Sequence, residues 1–107
     1  MLDRKRLREM SDGDAEFERE LIGTYRSSAT SILAQLYADL TVGNVVGIAR
    51  EAHALKGASL SVGADAMAMC AAEIETAARA GDARRASEKL EDLRLQEQAL
   101  WMELEQF

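Results

Sequence analysis

Four glycines divide this chain. Gly13, Gly43, Gly63 and Gly81 each close a segment whose apolar residues recur at helical spacing, and no segment alternates as a strand would. No proline occurs in the 107 residues, so nothing breaks a long helix from within. The spacing predicts a short helix from about Asp3 to Met10, resting on Leu2, Leu7 and Met10. A long second helix from Asp14 to Leu40 follows, capped by Asp12 or Asp14 and striped by Phe17, Leu21, Tyr25, Ile32, Leu36 and Leu40. Asn44 caps a third helix, Val45 to Val62. A fourth spans Ala64 to Ala80 with Met67, Ala71, Ile74 and Ala78 on one face, and its many alanines let a neighbour approach closely. A fifth runs from Ala83 nearly to the end on Ala86, Leu90, Leu93, Leu100 and Leu104, with Gln96 and Glu97 interrupting the stripe. Four substantial amphipathic helices joined by short turns bury their stripes together as a bundle. The expected fold is all-α: an antiparallel four-helix bundle with a short additional N-terminal helix, one domain over residues 1–107.

Composition narrows what such a bundle can do. Apolar residues make up 48% and charged residues 30%, the balance of a folded, soluble chain. A net charge of −6 speaks against a nucleic-acid groove, which needs a basic patch. One cysteine excludes an internal disulfide, and with one histidine it cannot complete a closed zinc site. A carboxylate-only metal site stays open on this count. No apolar run reaches a membrane span, and the charged start (Asp3, Arg4, Lys5, Arg6) has no apolar region behind it, so a cytoplasmic location is expected. The sequence carries no phosphate-cradling glycine loop and no nucleotide signature.

His53 is the residue to explain. On a wheel of about 100° per residue, Val45, Ile48, Ala52, Leu55, Ser59 and Val62 fall in an arc of about 180–280° from it. That arc faces the core, so His53 points away from it. Within about 60° of His53 lie Val46, Ala49, Arg50, Lys56, Gly57 and Leu60. An ordinary solvated face would carry several acids and lysines; this one is small or apolar apart from two cations. Gly57, mid-helix, costs about 1 kcal/mol against alanine and clears bulk one turn beyond the imidazole. Lys56 sits on the adjacent turn, where an ammonium favours neutral imidazole and lies near any anion attached to the ring. Neutral imidazole is a competent nucleophile. The bland alternative is a solvent-facing histidine with an incidental lysine. Cys70, on an alanine-rich helix, is expected to pack as a small hydrophobe. Ser59 is expected to bond a carbonyl of the preceding turn, Trp101 and Phe107 to serve the core or cap its end, and Arg50 to touch a partner.

The string around His53 adds a resemblance. Residues 52–64 read AHALKGASLSVGA, followed by Cys70, Ile74–Glu75 and Ala80–Gly81–Asp82. This resembles the histidine phosphotransfer (HPt) family, whose signature runs His-x-Leu-Lys-Gly-Ser/Ala-Ser/Ala, then Gly-Ala/Leu, then Cys-x-x-Leu-Glu and Gly-Asp. His53, Leu55, Lys56, Gly57, Ala58, Ser59, Gly63, Ala64, Cys70, Glu75, Gly81 and Asp82 match in order. Ala58 stands where serine is frequent, and Ile74 replaces a leucine.

The resemblance implies a phosphorelay intermediate and not an enzyme with kinase activity of its own. His53 would accept a phosphoryl group on Nε2 from a receiver-domain aspartate and pass it to another receiver. Lys56 would support the phosphoryl oxygens. Gly57, with Arg50, Ala49, Leu60 and Val46, would form the receiver docking face. Partners would be response-regulator receivers and a hybrid sensor histidine kinase, with no nucleic acid and no membrane. No cofactor or metal is expected on this chain, since the receiver would bring Mg²⁺. A monomer is expected, and the start at Met1 with a one-domain length suggests a free-standing protein. A non-catalytic helical adaptor using the same face is the rival reading, and an oligomerisation module a third.

Overall fold

Side-chain caps decide where most of the helices begin. In the computed structural model, which describes residues 2–107, Asp3 accepts from Arg6 N ahead of α1 (Arg4–Met10), and Asp14 accepts from Glu16 N and Phe17 N ahead of α2 (Ala15–Val42). Asn44 does the same for Gly47 N at the start of α3 (Val45–Ser61), and Asp82 for Arg85 N at the start of α5 (Ala83–Glu88). Each cap satisfies a donor that the helix cannot, worth about 1 kcal/mol. α4 (Asp65–Arg79) and α6 (Leu90–Leu104) start without one. Met1, the first residue of the expected domain, lies outside the described residues.

Two turns depend on glycine geometry. Gly43 ends α2 at φ 68°, a left-handed cap that costs a Cβ-bearing residue more. Gly63, at φ 76°, lies so close to the N-terminal segment that a Cβ would come 2.9 Å from Asp3 O. That approach lets Asp3 N donate to Gly63 O at 2.8 Å and Leu2 pair with Ala64 in an isolated antiparallel bridge. Arg6 pairs with Asp65, and α1 thereby closes over the α3–α4 turn.

The molecule is all-helical, and α3 lies against both α4 and α2, with α4 in turn against α5 and α6. The described residues extend 42 × 20 × 18 Å. Leu33 and Leu36 of α2, Ile48 and Leu55 of α3, Ile74 of α4 and Leu93 of α6 are fully buried between these helices. Fully burying such a side chain is worth about 1.5–3 kcal/mol.

Three expectations are corrected. The fifth helix is two: α5 and α6 meet at Lys89, whose N–H turns to Ala86 O and Ser87 O and whose ammonium holds Glu73 at 2.9 Å. The stripe of α2 runs Ile22, Tyr25, Ala29, Leu33, Leu36 and Leu40, while Leu21 and Ile32 are only partly buried and Phe17 is 43% exposed. Ser59 does not bond its own helix; its hydroxyl meets Tyr25 OH at 2.8 Å inside the core. Glu97, an interruption in the sequence pattern, accepts from Tyr37 OH at 2.6 Å and from Trp101 Nε1 at 3.0 Å, so it joins α2 to α6.

Candidate functional site

His53 rides the outer face of α3, its side chain 63% exposed. Its angular position on the helix puts it there: Ala52, Leu55 and Ser59 turn into the core, leaving His53 outward. One polar atom of the ring is engaged. Nδ1 lies 3.0 Å from Oε2 of Glu75, which comes from α4 directly across the interface.

Glu75 organises the site. It is only 7% exposed, and burial alone would raise its pKa. Hydrogen bonds from Lys56, Arg79 and His53 outweigh burial and bring it down to about 2. Lys56 Nζ lies 2.9 Å from Oε1. Arg79, one turn along α4, sets Nε at 2.8 Å and a terminal nitrogen at 2.7 Å from Oε2. A carboxylate ionised to this degree only accepts hydrogen bonds. His53 Nδ1 must therefore carry the proton. In a neutral ring this tautomer has its lone pair on Nε2, the nitrogen that Glu75 does not touch.

The surroundings are shaped for contact. On one side of His53 a groove of about 650 Å³ is lined by Val46, Ala49, Arg50, Ala78, Arg79 and Gly81. On the other, a hollow of about 410 Å³ is lined by Lys56, Leu60, Ala68, Met69 and Ala72. Val46 is 73% exposed and Leu60 is exposed, large apolar residues with no cover. Gly57 is exposed, and a Cβ built on it meets nothing within 4 Å.

The expected site residues thus come together on one face, with two adjustments. Ala49 is buried and serves as the floor of the groove, because α4 packs against that edge of α3. Lys56 does not stand free beside the ring but is tied to Glu75. Glu75 and Arg79 received no role from the sequence, although a lone acid among the buried Ile74, Ala71 and Ala78 is itself a signal, since a buried charge needs partners. Cys70 is buried, and burial pushes its thiol up to about 12, so it stays protonated and inert.

An outward histidine on a helical scaffold, backed by a buried carboxylate, is an arrangement suited to a phosphoryl carrier. Residues 20–106 match the family model of the Hpt domain, and the chain belongs to this family. Its role is histidine phosphotransfer in the phosphorelays of two-component signalling, as a carrier and not a kinase. Among solved structures it is similar to histidine-containing phosphotransfer protein B (HptB) from Pseudomonas aeruginosa PAO1. The TM-score is 0.89 at 26% identity, over 98% of this chain and 91% of that one. No curated protein matches the sequence. Among the described residues, no helix is long and apolar enough to cross a membrane.

Proposed function

We propose that His53 is the phosphoacceptor and that Nε2 takes the phosphoryl group from an aspartyl phosphate of one receiver domain and yields it to the aspartate of another. The observation that carries this reading is the 3.0 Å contact between Nδ1 and the ionised Glu75 on a ring otherwise open to solvent. The Nε2 lone pair attacks phosphorus while the P–O bond to the donor carboxylate breaks and its electron pair leaves with the carboxylate oxygen. Onward transfer is the same step reversed.

The remaining roles follow from place. The ammonium of Lys56 lies on the adjacent turn, within reach of an anion on the ring, and supports the phosphoryl oxygens once they arrive. Gly57 leaves the approach clear. Val46, Ala49, Arg50 and Leu60 give the receiver an apolar rest with one cation. Mg²⁺ and most of the catalytic groups come with the receiver, and this chain has no kinase activity of its own. The architecture is an antiparallel four-helix bundle of α2, α3, α4 and a fourth arm made of α5 and α6, with α1 added at one end. It forms one domain and works as a monomer.

Incubation with a phosphorylated receiver tests the reading. An acid-labile label is expected on wild type and none on His53→Gln. Label retained by that variant overturns the assignment. A variant that binds and signals like wild type points instead to the adaptor reading.

A further inference from the structure

The proposed transfer leaves a question of charge. A neutral ring that holds its proton on Nδ1 and bonds phosphorus through Nε2 ends as a cation. In water such a ring can shed the Nδ1 proton. What remains is a neutral phosphoimidazole, which must leave as an imidazole anion, and an anion of that basicity is a poor leaving group.

We propose that Glu75 holds the Nδ1 proton on His53 throughout the cycle, so that the phosphorylated side chain stays a phosphoimidazolium, poised to release its phosphoryl group. This deepens the reading of His53 as phosphoacceptor and rests on it. Three observations carry it. The carboxylate is placed on Nδ1 at 3.0 Å before any chemistry occurs. It is buried, only 7% exposed, which leaves water little access to it. It is held by Lys56 on one oxygen and Arg79 on the other, so it cannot swing away.

The charges around the ring agree. Lys56 approaches from α3, and Glu75 and Arg79 from α4; Arg50 of α3 pairs with Glu51 at 3.1 Å, so its charge is cancelled within its own helix. Lys56 and Arg79 by themselves disfavour a cationic ring, but they are bonded to Glu75, and the phosphoryl group adds up to about two negative charges. With Nδ1 protonated, positive and negative charge in the cluster nearly balance. Without that proton, negative charge is in excess. The balance favours the cation.

The step then needs no proton movement at the ring. The Nε2–P bond breaks and its electron pair returns to Nε2. A new bond forms between phosphorus and the accepting oxygen. The imidazolium becomes neutral imidazole with its proton still on Nδ1, ready for the next donor. Glu75 touches neither phosphorus nor the partner; it is a positioning residue that sets how readily the phosphoryl group departs.

Phosphoramidate, a small donor, allows a test without any receiver. Wild type is phosphorylated with it, the Nδ1 titration of the phosphorylated ring is followed by ¹⁵N NMR beside a phosphohistidine peptide, and loss of phosphate is timed across the neutral to alkaline range. Wild type is expected to keep the Nδ1 proton to a pH about one unit or more above the peptide, with fast release extending equally far. Glu75→Gln is expected to return towards the peptide and to release phosphate up to about tenfold more slowly where the two differ, since one pKa unit is a factor of ten in protonated fraction. A wild-type ring that titrates with the peptide overturns the inference, and this measurement stands even if Glu75→Gln fails to fold. Equal decay of Glu75→Gln and wild type at every pH also overturns it. Label that fails to appear on wild type, or that persists in His53→Gln, overturns the reading of His53 itself.

Discussion

Gly57 offers the sharpest separation of fold from function. It lies within α3, one turn past His53, where alanine is the better helix former by about 0.5–1 kcal/mol. Nothing offsets that gain, because an added Cβ meets no atom within 4 Å and the backbone there is ordinary helix. Gly57→Ala should therefore stabilise the protein. At about 4–8 °C per kcal/mol for a small domain, the thermal midpoint should rise by about 2–8 °C. Gly57→Gln should keep most of this gain, since its side chain extends into solvent. It should nonetheless slow transfer from a phosphorylated receiver, because it fills space that a docked protein needs. Phosphorylation of the same variant by phosphoramidate should be unchanged, because a small molecule is not excluded. Circular dichroism melts and label transfer from both donors supply the readings. A lower midpoint for Gly57→Ala, or a wild-type rate from the receiver to Gly57→Gln, refutes the reasoning.

Other perturbations should behave differently. Gly47→Ala, also within α3, should destabilise by about 1–3 kcal/mol in a denaturant titration, since its Cβ would lie 2.7 Å from Cγ of the buried Asp39 and 2.8 Å from Asn44 Nδ2. Glu75 should contribute an acid-sensitive part of stability. Its folded pKa of about 2 lies below the ordinary 4.5, so the contribution is present above 4.5 and lost as pH falls towards 2. The difference in melting midpoint between wild type and Glu75→Gln should shrink over that window, and a constant difference would contradict the ionised carboxylate. Lys56→Ala should slow transfer or shorten the lifetime of phosphorylated His53 in a label-decay assay; wild-type values in both would make it a structural lysine only.

How much of this was legible in the sequence depended on whether the signal was local. His53 pointed outward on the helical wheel because its own helix carries a clear apolar arc, and Ile48, Ala52, Leu55 and Ser59 are indeed buried on that arc. α2 misled because it has two apolar rows side by side. Leu21 and Ile32 compete with Ile22 and Leu33, and only the packing of α3 against α2 selects the second pair. The break at Lys89 has no glycine or proline to announce it. It coincides with a cross-helix ion pair to Glu73, which a single helix pattern does not contain. Glu75 matched the signature by position, but its convergence with His53, Lys56 and Arg79 spans two helices and needed coordinates.

His53 sits in the middle of a 17-residue helix rather than on a loop. Its imidazole therefore inherits the stiffness of the core behind it while its side chain stands exposed to an incoming molecule. A side chain mounted this way has little freedom to adapt to different visitors. Choosing among rival signalling proteins must fall to the contours and charge of the encounter itself, so a change of pathway wiring should require only a handful of altered residues around the rim, with the chemistry at the centre left alone.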